Sequence, residues 1–210
     1  MADKPVLYGF DGSTYVRSVR TLMHAKGIDY EQVPVNVLEG EPRQPEHLKR
    51  HPFGKVPVLD IDGMRLYETY AINAYLDETR DGPSFTPRDA KVRARMRMAI
   101  GLFDSFGYPN LLPSVGYHLF PEVIGNPTEE QHKETLEKSK ALLDLLVEKK
   151  GNDPWLAGQE VSLADIHVAP ILFYVSLTPD KDTLIQGALS EWWQRVGGIE
   201  SFKATEPDLG

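Results

Sequence analysis

Residues 51–72 read His-Pro-Phe-Gly-Lys-Val-Pro-Val-Leu-Asp-Ile-Asp-Gly-Met-Arg-Leu-Tyr-Glu-Thr-Tyr-Ala-Ile, the most informative pattern in the chain. Val56-Pro57 stands directly before the apolar run Val58–Ile61, which predicts a strand. A proline at the entrance of a strand, directly after a turn, is a candidate for a cis peptide bond. A cis bond here directs the N–H and C=O of Val56 outward, so that an extended ligand can pair with them as an added strand.

The second half of this stretch predicts a hairpin and the start of a helix. Asp62-Gly63 is a typical tight turn and separates Val58–Ile61 from a second strand, Met64–Tyr67. Glu68-Thr69 then opens a segment with apolar residues at helical spacing. A hydroxyl beside the free N–H groups of a helix N-terminus forms a carboxylate site. The stretch therefore predicts several groups that hold a peptide-like anion.

The residues before this stretch predict a strand, a helix and a second strand. Val6 to Phe10 has the pattern of a strand, and Ser13 to Lys26 has the pattern of a helix that Gly27 ends. Tyr30 to Val35 follows as another strand, and the polar residues 36–50 favour a loop with at most a short helix. This order of elements is that of a thioredoxin-like fold, so an α+β N-terminal domain is expected.

The rest of the chain predicts helices only. Asp81-Gly82-Pro83 interrupts the chain, and Thr86-Pro87-Arg88-Asp89 is interpreted as a helix start with proline at its first position. The domain boundary is placed near residues 80–86. Helices are predicted at Arg88–Phe106, Glu129–Lys149, Leu163–Leu177 and Ser190–Val196. Ser162 followed by Asp165 is a capping-box variant that marks the start of the third of these helices.

Composition excludes several classes of function. The 210-residue chain has a formal net charge of −8 and no dominant basic patch, which argues against nucleic acid as a main partner. It contains no cysteine, so disulfides, thiolate metal sites and cysteine-based redox chemistry are excluded. Its six histidines show no metal-binding spacing, and no metal is expected. There is no apolar run of membrane-spanning length, and Met-Ala-Asp-Lys-Pro lacks a signal core, so a cytoplasmic protein without a membrane partner is predicted.

These features together resemble the cytosolic glutathione transferases. The stretch 51–72 is similar to the glutathione-binding half of their thioredoxin-like domain, and residues 154–170 are similar to a capping motif in their C-terminal domain. Gly12 to Arg20 resembles the Ser-x-x-x-Arg signature of serine-type enzymes of the theta and phi kinds. The resemblance implies a bacterial member of this type, with a thioredoxin-like glutathione-binding domain at 1–80. It also implies an all-α C-terminal domain at 87–210 that forms the electrophile pocket.

The resemblance makes Ser13 the catalytic candidate, as the hydroxyl that donates a hydrogen bond to the glutathione sulfur. The thiolate is the nucleophile, and one hydrogen bond together with a helix N-terminus is enough to stabilise it. A role as helix cap alone is the competing interpretation. Three further hydroxyls are alternatives: Thr14 if the turn shifts by one residue, Tyr15 near the cysteine position of beta-type enzymes, and Tyr8 near the tyrosine position of tyrosine-type enzymes.

The contacts to the first two residues of glutathione are carried over from the family position by position. Val56 supplies backbone pairing to the cysteinyl residue, next to the expected cis-proline Pro57. Glu68 and Thr69 match the acidic-then-hydroxyl pair that holds the γ-glutamyl amine and carboxylate.

The contacts to the glycine end and to the electrophile follow less directly. Lys55 precedes Val56 and is expected to reach the glycine carboxylate, and Arg43 falls near a basic loop position of the family. Pro42 stands where a histidine is frequent, which leaves the glycine-end contacts open. Tyr15 is the one aromatic residue assigned to a wall of the electrophile pocket.

The function implied by the resemblance is conjugation of the glutathione thiolate to small hydrophobic electrophiles, as in detoxification. A glutathione-dependent isomerase or dehalogenase is one alternative, and a non-enzymatic interaction module with the transferase fold is another. Glutathione is the expected co-substrate. A homodimer is also implied, with Phe53 at the position of an aromatic key that several classes insert into the partner subunit, or simply as a local turn residue.

Overall fold

The N-terminal unit is built on a four-stranded mixed sheet, in a computed structural model that describes residues 4–208. Its strands are β1 (Val6–Tyr8), β2 (Glu31–Val33), β3 (Val58–Ile61) and β4 (Met64–Tyr67). Their order is β2-β1-β3-β4, with β1 and β2 parallel and β3 antiparallel to both β1 and β4. This is the sheet of the predicted thioredoxin-like fold. Residues 1–3, the start of the N-terminal segment considered above, and residues 209–210 lie outside the described part.

The first two strands end earlier than predicted. β2 stops before Pro34, because a proline has no N–H to donate to a strand ladder. β1 stops at Tyr8, because Gly9 takes a φ of +156° that a side chain rarely adopts. A Cβ at Gly9 would also lie 2.4 Å from Cγ2 of Val16, so only glycine allows the chain to approach the first helix this closely.

Three helices accompany this sheet in the N-terminal part of the chain. They are α1 (Thr14–Ala25), the short α2 (Pro45–Leu48) and α3 (Thr69–Thr79). A 3₁₀ turn at Glu41–Arg43 precedes α2, so the loop predicted for residues 36–50 contains two short helical pieces. α1 packs directly against α3. The fully buried apolar side chains of these elements include Leu7, Val16, Val19, Leu22, Leu59, Ile72 and Leu76.

The second unit, residues 85–198, is helical throughout its described elements. A π-helical segment, Phe103–Gly107, joins the first two of its helices. The helices are α4 (Ala90–Leu102), α5 (Tyr108–Leu119), α6 (Glu129–Lys150), α7 (Leu163–Ser176), α8 (Lys181–Leu184) and α9 (Gly187–Gly197).

The structure corrects one prediction in this unit and adds one helix that the sequence did not predict. α4 begins at Ala90 and not around Pro87, because the Asp89 carboxylate accepts the N–H groups of Lys91 and Val92 at 3.0 and 2.9 Å and so caps the helix. α5 was not predicted, because its sequence contains a proline in the first turn and a second one, Pro113, in its interior. Its mostly apolar side chains, not local propensity, keep it helical.

The start of α7 confirms the predicted role of Ser162 and Asp165. The buried Asp165 carboxylate accepts the Ser162 N–H at 2.8 Å and the Ser162 hydroxyl at 2.9 Å. It also accepts the Leu156 N–H at 2.9 Å and the indole N–H of Trp192 at 2.7 Å. His167, on the same helix, is directed elsewhere, with its Nε2 2.7 Å from Oδ1 of Asp104.

The helix α10 (Glu200–Ala204) belongs to the N-terminal unit, whose described residues are 4–84 and 199–208. The sequence placed the whole of 87–210 in the helical domain. Arg17 on α1, fully buried, donates to the Phe202 carbonyl at 2.9 Å and its guanidinium lies 3.9 Å from the Phe202 ring centroid. The arginine of the Ser-x-x-x-Arg signature therefore anchors the C-terminal segment.

Candidate active site

Three predicted binding elements meet at one edge of the sheet. In the strand register Tyr8 lies opposite Val58, and Val58 lies opposite Tyr67. The end of β1, the start of β3 and the end of β4 are therefore side by side, about 10 Å across at the usual strand spacing. The loop to Ser13 leaves from the first of these ends, Val56-Pro57 enters the second, and Glu68-Thr69 leaves the third. The edge is wide enough for a tripeptide to contact all three.

Ser13 is the N-cap of α1 and keeps its hydroxyl proton available. Its backbone is extended, with φ −77° and ψ 125°, and its Oγ accepts the Val16 N–H at 3.4 Å. Within residues 4–208 no acceptor takes the Ser13 hydroxyl proton. The side chain is partly exposed. Ser13 therefore combines the cap with a free donor at the positive end of a helix, where an anion is favoured.

The alternative hydroxyls are placed differently. The phenolic O–H of Tyr8 donates a hydrogen bond to Oδ2 of Asp60 at 3.2 Å, across the β1–β3 pair. Its ring also lies 4.6 Å from the guanidinium carbon of Arg50. Thr14, the first residue of α1, is only 7% exposed, whereas Tyr15 in the same turn is partly exposed. The Ser13 hydroxyl can therefore donate a hydrogen bond to a glutathione sulfur, whereas the Tyr8 hydroxyl already donates its hydrogen bond to Asp60.

The peptide bond between Val56 and Pro57 is cis. Val56 is partly exposed and precedes the first residue of β3 by two positions. Within the described residues, neither its N–H nor its C=O has a hydrogen-bond partner. The preceding carbonyl, of Lys55, is held by Nε2 of His47 at 2.8 Å, which fixes the approach to the proline. The Val56 backbone is thus an unpaired strand segment beside the sheet edge.

Glu68 and Thr69 form the start of α3 in an unusual conformation. Glu68 is the N-cap, with φ 71° and ψ 110°, a region that costs a non-glycine residue about 1–3 kcal/mol. Strain of this size persists where the surroundings or a function require it. Thr69 is 7% exposed at the first helical position, beside N–H groups that have no partner within the helix. The pair therefore presents an acidic group and a hydroxyl at a helix N-terminus.

Two cations flank the entrance to the proline. A Cβ at Gly54, whose φ is +59°, would lie 2.7 Å from the Pro42 carbonyl and 3.2 Å from Cδ of Arg43. The side chain of Arg43 therefore runs beside the residue that precedes Lys55. Both cationic side chains are exposed, and neither forms a salt bridge to any residue in the range 4–208. Their position suits an anionic group at this end of the site.

His51 supports the site but was missed by sequence reasoning. Its ring is buried, accepts the Phe53 N–H on Nδ1 at 3.2 Å, and lies 4.8 Å from the Tyr67 ring, at the end of β4. Burial lowers the pKa of His51, while the nearby Glu68 carboxylate raises it by a smaller amount. The ring thus ties the 51–55 turn to the strand that leads into α3. The position of His51 directly before Pro52, at the start of a turn, was the sequence feature that could have drawn attention to it.

Comparison with known proteins identifies the family. Residues 5–78 match the profile described as "Glutathione S-transferase, N-terminal domain", and residues 104–200 match "Glutathione S-transferase, C-terminal domain". The chain belongs to the glutathione S-transferase family. The family match covers the edge at which Ser13, Val56 and Thr69 lie, as well as most of the helical unit.

Similar proteins include transferases and an isomerase. Glutathione S-transferase F10 of Arabidopsis thaliana is 32% identical, with 89% of each chain covered. Maleylacetoacetate isomerase of Rattus norvegicus is 34% identical, with 98% of this chain and 94% of the relative covered. A solved maize glutathione S-transferase I, in complex with an atrazine glutathione conjugate, has a TM-score of 0.84, 27% identity and 97% coverage of both chains. Across residues 4–208, helices with the length and apolar character needed to span a bilayer are absent.

Proposed function

We propose that this protein is a glutathione transferase that activates the glutathione thiol through Ser13 and adds the sulfur to small hydrophobic electrophiles. The observation that carries the proposal is the register of Tyr8, Val58 and Tyr67, which puts the ends of β1, β3 and β4 side by side at one sheet edge. Family membership supports it, as does the conjugate bound by the maize enzyme.

Glutathione binds along this edge in an extended form. Its cysteinyl backbone pairs with the N–H and C=O of Val56, held outward beside Pro57. The γ-glutamyl carboxylate takes the Thr69 hydroxyl and the first N–H groups of α3, and Glu68 takes the γ-glutamyl amine. The opposite end, the glycine carboxylate, lies toward Lys55 and Arg43, whose charges have no ion-pair partner among residues 4–208.

Energetics favour a single hydroxyl as the activating group. The pKa of a free thiol is about 8.5 and must fall by about two units for the thiol to be mostly ionised near pH 7. This shift requires the thiolate to be stabilised over the thiol by about 2.7 kcal/mol. A hydrogen bond to a charged acceptor contributes about 1.5–3 kcal/mol, and the N-terminus of α1 adds about 0.3–1 kcal/mol. The glutathione thiol loses its proton to solvent, and the Ser13 hydroxyl donates a hydrogen bond to the resulting thiolate, which then attacks the electrophile. The sulfur–carbon bond forms while the leaving group, where there is one, departs with its electron pair.

A glutathione-dependent isomerase is the second candidate function. The observation that favours it is the 34% identity to a maleylacetoacetate isomerase over nearly the whole chain. The same thiolate serves both reactions, but an isomerase releases glutathione unchanged, whereas a transferase consumes it. Loss of free thiol during turnover therefore separates the two.

Three further features belong to the same proposal. The partly exposed Tyr15 forms one wall of the electrophile pocket. The enzyme acts in the cytoplasm. The protein is a homodimer in which Phe53 inserts into the partner subunit. Support for the dimer is that the Phe53 ring is 72% exposed and therefore accessible to a partner subunit.

The proposal is tested by the ultraviolet absorbance of the thiolate in a protein–glutathione mixture, titrated with pH. The expected midpoint for the wild type lies well below that of free glutathione, and Ser13→Ala moves it back toward the free value. Thr14→Ala and Tyr8→Phe, the matched hydroxyl deletions, leave it low. A wild-type curve identical to that of free glutathione favours the interaction module. A loss of activation in Thr14→Ala or Tyr8→Phe alone reassigns the catalytic hydroxyl.

A further inference from the structure

The helical unit contains a cluster of two imidazoles and one carboxylate. His118 on α5, His132 on α6 and Asp180 just before α8 place their ligand atoms within 4.8 Å of one another. Nε2 of His118 lies 3.2 Å from Oδ1 of Asp180, and Nε2 of His132 lies 3.3 Å from the same oxygen. The side chains of His132 and Asp180 are about one-tenth exposed, and that of His118 is 22% exposed.

The two nitrogen–oxygen separations suit a shared metal ion, which would hold the two imidazole nitrogens no more than about 4.2 Å apart, twice the Zn–N length. Two ligand atoms bound to Zn²⁺ at 2.0–2.1 Å with tetrahedral angles are about 3.3 Å apart, which matches both nitrogen–oxygen separations. Nε2 of His118 is buried and forms no hydrogen bond within the described residues, despite its short distance to the carboxylate. An unpartnered buried nitrogen beside a carboxylate needs an explanation, and a cation between them supplies one.

The surroundings orient the three groups in the manner of an outer ligand shell. The Ser114 hydroxyl donates to Oδ2 of Asp180 at 2.8 Å, which fixes the carboxylate and leaves Oδ1 facing the two imidazoles. The Tyr117 ring stacks on His132 with the centroids 4.1 Å apart and the planes 7° from parallel. Partners that hold ligands in this way strengthen metal sites in proteins.

A cavity of about 310 Å³ lies against His132, one of the three residues of the cluster. His132 lines it together with Gln131, Thr135 and Lys138. Three protein ligands leave one position of a tetrahedral ion for water.

We propose that His118, His132 and Asp180 bind one divalent transition-metal ion of the Zn²⁺ class. Two imidazoles with one carboxylate are ligands that suit Zn²⁺ and its first-row neighbours. The bound ion links α5, α6 and the residue just before α8, and its binding energy therefore stabilises the helical unit. Sequence spacing did not reveal the site, because its residues come from three separate elements.

The test uses the full-length protein, stripped with a chelator and studied without glutathione, so its outcome is independent of the transferase proposal. Equilibrium dialysis against micromolar Zn²⁺, followed by elemental analysis, is expected to give about one ion per chain. His118→Gln, His132→Gln and Asp180→Asn are each expected to weaken binding at least 100-fold, and Ser114→Ala about 10–100-fold. His24→Gln, an exposed histidine on α1, is the matched control and keeps wild-type binding.

Circular dichroism shows whether each variant folds. If one does not, Co²⁺ binding to the wild-type protein provides a second test. Wild-type protein with one equivalent of Co²⁺ is expected to show the visible bands of a four-coordinate ion with nitrogen and oxygen ligands, which excess Zn²⁺ removes. Wild-type protein that retains no stoichiometric Zn²⁺, or that gives only the spectrum of hydrated Co²⁺, overturns the proposal. So does a folded His132→Gln variant that binds as tightly as the His24→Gln control.

Discussion

The Oγ atom of Ser13 accepts the N–H of Val16 at 3.4 Å, while the hydroxyl proton has no acceptor in the described structure. One side chain therefore caps α1 and has a donor left for a ligand. The two roles can be separated, because glycine replaces a serine cap at a cost of a few tenths of a kcal/mol, whereas alanine costs about 1 kcal/mol.

Substitution of Ser13 is expected to affect stability and thiol activation differently. Ser13→Ala lowers the free energy of unfolding by about 1 kcal/mol and Ser13→Gly by clearly less. Both remove the hydroxyl and raise the pKa of the bound glutathione thiol by about one to two units, the equivalent of one charged hydrogen bond. Urea unfolding and thiolate absorbance measure the two effects. Equal activation in Ser13→Ala and wild type would show that Ser13 is only a cap.

Thr69→Val is expected to weaken glutathione binding about 10- to 100-fold, because a hydrogen bond to a carboxylate contributes about 1.5–3 kcal/mol. Isothermal titration calorimetry measures the dissociation constant. Thr79→Val at the other end of α3 is the control, since that exposed hydroxyl only donates to the Tyr75 carbonyl. Unchanged affinity in Thr69→Val would place the γ-glutamyl carboxylate elsewhere.

Removal of one member of the Lys26–Asp77 ion pair is expected to destabilise the N-terminal unit strongly. Nζ of Lys26 lies 3.0 Å from Oδ1 of Asp77, and both side chains are about 1% exposed. The same ammonium donates to the carbonyls of Asp77 and Arg80 at the end of α3. Lys26→Met removes the ammonium that pairs with the buried Asp77 carboxylate, which costs about 3–5 kcal/mol.

The matched variant for this ion pair is the double substitution Lys26→Met with Asp77→Leu. It removes both charges and is expected to recover much of the lost stability, because an apolar pair of similar volume often replaces a buried ion pair at little cost. Urea unfolding of the two single variants and the double variant gives the coupling energy. Additive losses would mean that the ammonium and the carboxylate do not depend on each other.

Stability is expected to fall as the pH drops below about 6.5, in part because of His51. Burial lowers the folded-state pKa of His51, so the unfolded chain binds more protons between the unfolded value of about 6.5 and the lower folded value. Stability therefore rises with pH across this window and is lost as the pH falls through it. Glu68 opposes this shift in pKa, whereas His47 and Lys55 add to it.

Urea midpoints at pH 7.5 and 5.5 measure this dependence. His51→Gln is expected to reduce the difference between the two midpoints, whereas His24→Gln, which removes an exposed histidine, leaves it as in the wild type. An unchanged difference in His51→Gln would assign the pH dependence to other groups.

Local patterns were sufficient for the order of the strands and main helices in residues 5–80, and so for where the candidate site residues lie on them. The Asp62-Gly63 turn, the Glu68-Thr69 helix start and the Gly27 helix stop depend on backbone preferences of the residues themselves, so each predicted element formed. The positions of the site residues followed from those elements, because strand register then brings the ends of β1, β3 and β4 together.

Long-range packing, in contrast, accounts for the features that no local pattern predicted. α5 forms in spite of Pro113, and residues 199–208 join the N-terminal unit through contacts such as Arg17 with Phe202. His118, His132 and Asp180 converge for the same reason, because their separation along the chain has no relation to their separation in space. Backbone preferences act over a few residues, so local sequence determined most of the elements. Burial of side chains joins distant residues, so only the tertiary structure decided that α5 forms and that these clusters assemble.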